Sequence, residues 1–303
     1  VNDDLIFDWN VEGDRVSPPL RAIEYCDETL RDGIQCPSVT DPSIEDKMEI
    51  IRLLDGVGVH NVDIGLPGAG QRAVEDCTVL ASMIRDEKLS IKPQCAARTH
   101  KNDITPVIEM SQQLGIDIEV MAFLGTSPIR LYAEGWDEAV LEQRTRAAVS
   151  LAKGAGNTCT FVTEDTVRSQ PTVLARLFHA AIDEGANGLC LCDTVGHATP
   201  DGVFNLVHFA RNLIRGRGAS TRIDWHGHND RGHALPNALM AIEAGADRVH
   251  GTVMGMGERV GNTPIDLLLV NLKLLGIEQA DLSKLADLVE LSSTACEVPI
   301  PPM

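Results

Sequence analysis

Short apolar runs recur along this chain, near residues 21–26, 61–65, 91–96, 117–122, 157–162, 188–192, 221–226 and 247–251. Each is strand-like, and each is followed by a loop and then by a longer segment with helical periodicity. The helical segments carry start signals. Asp41-Pro42 and Thr199-Pro200 each set a capping residue before a proline suited to a first turn. After the second start, Val203, Leu206, Ala210 and Leu213 form an apolar stripe. Stop signals follow at Asp55-Gly56, Leu114-Gly115, Glu184-Gly185 and Ala244-Gly245, where glycine suits a left-handed closing residue. Strand–helix units in series predict a parallel sheet, because crossovers of this length join parallel strands. Eight units within roughly 260 residues predict a closed α/β barrel of the (β/α)8 TIM type, with functional groups at the C-terminal strand ends. No Gly-rich phosphate fingerprint follows the first strand, which argues against a dinucleotide-binding sheet. The expected organisation is an acidic extension over 1–20, a catalytic barrel over 21–280, and a C-terminal helix over 281–303 that begins a truncated or absent subdomain.

Composition narrows the function. The chain has 303 residues, 44% hydrophobic, with no apolar run long enough for a membrane span. No signal-peptide pattern opens it. The eight cysteines form no framework; Cys190 and Cys192 read as buried thiols of an apolar strand, in keeping with a reducing cytoplasm. A net charge of −18 argues against nucleic acid as a partner. An anionic substrate would need locally placed basic groups.

The candidate chemistry centres on Trp225-His226-Gly227-His228-Asn229-Asp230. Two histidines two apart on an extended strand face the same way and can share a metal ion. Alone the pair is an ordinary strand feature. In a closed barrel, however, strands 7, 8 and 1 are neighbours. Strand 1 ends in Asp27-Glu28-Thr29-Leu30-Arg31-Asp32-Gly33, and strand 8 runs into Gly257-Glu258-Arg259-Val260-Gly261-Asn262. Asp32, His226, His228 and Asn262 would then converge. One carboxylate, two imidazoles and an amide oxygen suit Mg²⁺, Mn²⁺, Co²⁺ or Zn²⁺ with positions left open.

These three motifs resemble those of the DRE-TIM metallolyase superfamily and, within it, 2-isopropylmalate and homocitrate synthases, from about Arg21 to Gly276. The resemblance implies a Claisen-type condensation of acetyl-CoA with a 2-oxo acid, giving a 2-alkylmalate-type product, as in amino-acid biosynthesis. It implies a divalent metal on Asp32, His226 and His228, with Asn262 as ligand or close neighbour. Arg31 would stabilise the developing alkoxide, and Glu164 would be the base or position one, with Glu258 as second candidate. Thr194 and Arg98 would contact the oxo acid. The family's strand-2 glutamate is replaced by Asp63, one methylene shorter, which predicts a looser or water-bridged contact with Arg31. A homodimer is also implied.

Arg130 bears on the substrate. Homocitrate synthases tend to carry arginine at this position, against the distal carboxylate, and isopropylmalate synthases histidine. An arginine here tilts the expectation towards a dianionic oxo acid; the alternatives are that Arg130 faces solvent or binds the acyl-CoA phosphates. Three rival readings remain. The lyases of the superfamily carry a catalytic cysteine in the loop after strand 8, which this chain lacks; that favours synthase over the 3-hydroxyacyl-CoA lyase reaction. Two histidines and a carboxylate also match non-haem iron oxygenases. A silent metal-binding homologue is the third. The synthases continue into a further subdomain where this sequence has Pro299-Ile300-Pro301-Pro302-Met303, so a shortened form or altered acyl-CoA binding is expected.

Overall fold

The computed structural model describes residues 22–300; the expected extension over 1–20 lies outside them. Eight strands form one closed, all-parallel barrel in chain order. They are β1 (Glu24–Asp27), β2 (Asn61–Asp63), β3 (Lys92–Arg98), β4 (Glu119–Gly125), β5 (Cys159–Glu164), β6 (Gly188–Asp193), β7 (Arg222–Gly227) and β8 (Arg248–Gly251). The ring closes where β1 pairs with β8, from Glu24↔Arg248 to Asp27↔Gly251. Six single-helix crossovers follow β1, β2, β3, β5, β6 and β7: α1 (Ile44–Gly56), α2 (Gln71–Asp86), α3 (Lys101–Leu114), α6 (Pro171–Asp183), α7 (Pro200–Gly216) and α8 (Ala234–Ala244). The β4 crossover holds two, α4 (Pro128–Glu134) and α5 (Glu138–Gly154); α9 (Ile265–Leu274) and α10 (Leu285–Ala295) follow β8. The predicted barrel is therefore the observed fold. Among the described residues no helix is long and apolar enough to cross a membrane.

Two details of the sequence reading shift. The cap of α1 is Ser43, not Asp41: Ser43 Oγ accepts from the Asp46 amide at 3.1 Å, and Asp41 instead pairs with Lys47 at 2.7 Å. Ser43 lies next to the helix, where its hydroxyl reaches a first-turn amide directly while donating to the Asp46 carboxylate at 2.7 Å. Thr199 does cap α7, accepting from the Gly202 amide at 3.3 Å. The buried stripe of α7, however, is Val203, Val207, Ala210 and Ile214, with Leu206 and Leu213 only partly buried beside it.

Alternate residues on a strand face opposite ways, and here the two faces differ in kind. Val120, Ala122 and Leu124 of β4, Leu189 and Leu191 of β6, Ile223 and Trp225 of β7 and Val249 of β8 join the large apolar core that includes the helix stripes. The other parity is polar at one end: Glu119, Thr160, Arg222, Asp224 and Arg248 are mutually hydrogen-bonded. Further along, Met121, Val162, Cys190 and Cys192 form a separate small apolar cluster.

Arg248 is fully buried, with Asp224 at 2.5 Å and Glu119 at 2.9 Å. Burial alone would raise the Glu119 carboxyl, but Arg248 and Arg222 outweigh it and hold it at about 2. A carboxyl depressed on folding stabilises the protein fully above its unfolded value near 4.5, and that contribution is lost as pH falls towards about 2. Arg248→Met leaves two buried carboxylates to share Arg222 as their remaining guanidinium and is expected to cost about 3–5 kcal/mol at pH 7. The variant should also lose less of its remaining stability between pH 4.5 and 2 than the wild type. Urea unfolding at pH 7 and pH 3 checks both; a Met variant equal to wild type at pH 7 contradicts the first.

Candidate active site

The C-terminal ends of β7, β8 and β1 bring three predicted ligands together. One ligand atom each from Asp32, His226 and His228 lie within 4.8 Å of one another. The Nε2 atoms of the two histidines face each other at 3.2 Å, and His228 Nε2 lies 3.7 Å from Asp32 Oδ2. His226 is the penultimate residue of β7, whereas His228 sits just past the strand and forms an isolated bridge with Asn262. That bridge is built from Asn229 N to Gly261 O at 2.9 Å and Thr263 N to Gly227 O at 3.0 Å. It stitches the loop after β8 to the end of β7. The loop needs glycine at 257 and 261. Both have positive φ, and a Cβ would strike the Asn262 side chain from Gly257 and the Gly255 carbonyl from Gly261.

The residues present fit a divalent cation. Asn262 Nδ2 donates to Asp32 Oδ2 at 2.8 Å and to the Met256 carbonyl at 3.0 Å, while its Oδ1 is buried with no partner among the described residues. Two facing imidazole nitrogens and a carboxylate, with an orphaned amide oxygen on the residue bridged to His228, are a ready set of donor atoms. Burial, and then the neighbouring His226, push the His228 imidazole down to about 4. Burial would raise the Asp32 carboxyl, but Arg31 together with His226 and His228 outweighs it and keeps that carboxyl below its usual value. A neutral ring and an ionised carboxylate are the forms that ligate.

Arg31 lies against three carboxylates through three different nitrogens. Nη1 donates to Asp32 at 2.6 Å, Nη2 to Glu28 at 2.7 Å and Nε to Asp63 at 3.3 Å. The shorter Asp63 side chain thus makes a direct but long contact, and burial pushes its carboxyl up to about 7. Glu28, quoted above only as part of a motif, makes the closer contact.

These residues line a cavity of about 330 Å³. Glu164, Arg130, Thr194 and Glu258 also line it. Arg130 Nη2 lies 3.7 Å from Glu164 and Nη1 lies 3.6 Å from Glu134. Its stem passes over Gly125, where a Cβ would collide with it. Burial raises the Glu164 carboxyl despite Arg130. Thr194 Oγ1 accepts from the Asp165 amide at 2.8 Å. Arg98 is not brought in: it is absent from the cavity lining, mostly exposed, and paired with Asp103 at 2.6 Å. Met121, Phe123, Val162, Cys190 and Cys192 form an apolar wall that the sequence reading did not assign to the site. The period-two pattern of Leu189-Cys190-Leu191-Cys192 was the signal, one cysteine set facing inward. Burial holds the Cys190 thiol well above its ordinary value, so it is not an activated nucleophile.

Comparison with known proteins gives the chain's family. The chain is 31% identical over 280 residues to the mitochondrial homocitrate synthase of Schizosaccharomyces pombe, covering 91% of this chain and 63% of that one. It is 33% identical over 284 residues to a probable 2-isopropylmalate synthase of Methanopyrus kandleri, covering 92% of this chain and 54% of that one. The chain therefore spans less than two thirds of the length of these relatives. A solved HMG-CoA lyase from Brucella melitensis superposes with a TM-score of 0.74 at 18% identity, covering 90% of this chain and 98% of that one. At that identity the likeness is one of fold. The family model described as HMGL-like matches residues 22–294, and with it the chain belongs to the HMGL-like family of the DRE-TIM superfamily.

Proposed function

We propose that this protein condenses the methyl carbon of acetyl-CoA with the carbonyl carbon of a 2-oxo acid, in a divalent-metal-dependent reaction of the kind run by isopropylmalate and homocitrate synthases. The observation that carries the reading is the convergence of Asp32, His226 and His228 beside Arg31 on one cavity. Asp32, His226 and His228 would hold the cation, with the orphaned Asn262 Oδ1 next to them. A cation there would act as a Lewis acid on the oxo group.

The chain's own groups do the rest. Arg31 places a fixed positive fork where the carbonyl oxygen gains charge. Glu164 is half-buried, with a raised carboxyl, and is suited to take a proton from the acetyl methyl group. The carbanion so formed bonds to the oxo carbon, the C=O π pair moves onto the oxygen, and the resulting alkoxide, still on that carbon, is then protonated. Water cleaves the thioester and releases the thiol. Glu258 is more exposed and is the weaker candidate base. Thr194 would hydrogen-bond the substrate carboxylate. Arg98, turned to Asp103, has no support for that role. The absence of a cysteine from the loop after β8 favours synthase over lyase. Thiol release from acetyl-CoA against a panel of 2-oxo acids and divalent metals tests the whole reading. No release with any pair, alongside cleavage of a 3-hydroxyacyl-CoA, would put the lyase in its place.

Arg130 decides the substrate. If its guanidinium meets a distal carboxylate, charged hydrogen bonds of about 1.5–3 kcal/mol give roughly a 10- to 150-fold preference for a dianion such as 2-oxoglutarate over 2-oxoisovalerate. Arg130→His should erase that preference. The apolar wall of Met121, Phe123 and Val162 supports the other reading, an aliphatic oxo acid, with Arg130 serving Glu164 instead. A wild type that prefers 2-oxoisovalerate, with the preference unmoved by Arg130→His, would settle on the aliphatic acid.

A further inference from the structure

The supports behind the two histidines are unequal. His228 Nδ1 is buried with no partner among the described residues. His226 Nδ1 faces Glu28 Oε2 at 3.1 Å. The same oxygen accepts from Arg31 Nη2 at 2.7 Å. The second Glu28 oxygen meets His250 Nδ1 at 2.6 Å, and His250 Nε2 lies 3.4 Å from Asp224 Oδ2. Asp224 is in turn fixed by Arg248 and Arg222. A continuous hydrogen-bonded column therefore runs inside the barrel from the ion cluster to the candidate metal centre. Glu28 is its upper joint, only 3% exposed, with both oxygens engaged.

A carboxylate on one imidazole nitrogen fixes the proton there, points the other nitrogen's lone pair outward and sets the plane of the ring. On an arginine, a carboxylate fixes one end of the fork. Glu28 does both with one oxygen. We infer that Glu28 is the positioning residue of this centre: it aims His226 at the cation and Arg31 at the substrate oxygen, while His250, backed by Asp224, holds Glu28. The inference rests on the metal-dependent reading above. Cys26, Glu28 and His250 are close enough to hold an ion of their own. Their mutual spacing is instead taken up by hydrogen bonds, Glu28 to His250 at 2.6 Å and Gln94 to Cys26 Sγ at 2.9 Å.

The test is a Co²⁺ titration of the metal-free full chain, followed by visible absorption, with circular dichroism and thermal melting alongside. Glu28→Gln keeps the size of the side chain and removes its charge. It should bind Co²⁺ about tenfold or more weakly, with an altered visible spectrum, in the roughly 10- to 100-fold range typical of an outer partner. His250→Asn, which leaves Glu28 in place but unsupported, should show a smaller loss in the same direction. A folded Glu28→Gln variant with wild-type Co²⁺ affinity and spectrum would overturn the inference, as would one that melts earlier yet binds unchanged. If the wild type itself takes up no Co²⁺, the metal reading fails first. If it binds and the Gln variant is indistinguishable from it, only the role of Glu28 is lost.

Discussion

Chelation is expected to abolish turnover, and His226→Ala or His228→Ala to leave a folded protein that no longer retains its metal. Each histidine supplies a nitrogen to a set whose ligand atoms lie within 4.8 Å of one another, so each deletion removes one of three closely spaced donors. Losing a donor costs more than losing an outer partner, for which roughly 10- to 100-fold in affinity is usual. The two variants should differ in detail. In His228→Ala the remaining ring is still held by Glu28, at 3.1 Å. In His226→Ala the remaining ring has no partner on its Nδ1 among the described residues. Residual metal should therefore be higher in His228→Ala. Metal content after dialysis, measured beside turnover, checks this. Full activity in the double alanine variant under chelator would sink the metal-dependent reading.

Arg31→Lys is expected to lower kcat by about two orders of magnitude, typical for losing a donor aimed at a developing oxyanion. The charge survives but the planar fork does not. Arg31 meets Asp32, Glu28 and Asp63 through three nitrogens, and a single ammonium cannot reproduce that spread. The lysine will settle against one or two of these carboxylates, away from the substrate oxygen. KM for the oxo acid should change much less, because the interaction strengthens only as charge develops. Steady-state kinetics separate the two parameters. A defect confined to KM would mean that Arg31 binds the ground state.

The barrel could be read from sequence because each strand is a compact apolar run with a helical stripe after it, a local signal. The convergence of Asp32 with the two histidines was legible for a second reason. Strands 7, 8 and 1 are consecutive in any closed ring, so topology alone brings Asp32 to the histidines. Glu28 was not legible as a hub. Its partner His250 is 222 residues away, and only the inward parity of both strands makes them meet. The polar column through Asp224 and Arg248 was hidden likewise, since a charged residue at every second position usually marks a solvent face. Arg98 misled in the opposite direction. It lies at a strand end in the right place by spacing, but Asp103 on the first turn of α3 captures it. Spacing fixes the position of a Cα; the nearest counter-charge decides where a long side chain goes.

The alternation of faces along β7 and β8 carries a consequence for insertions. Asp224, His226, Arg248 and His250 share one parity, and Ile223, Trp225 and Val249 the other. A single residue inserted early in β7 would slip the register by one and turn Trp225 into the barrel while sending His226 among the helices. Deletion of one residue would do the same. Loss of fold and loss of chemistry would then arrive together, from one frame of two. These strands can accept substitutions one side chain at a time, but not a change in length.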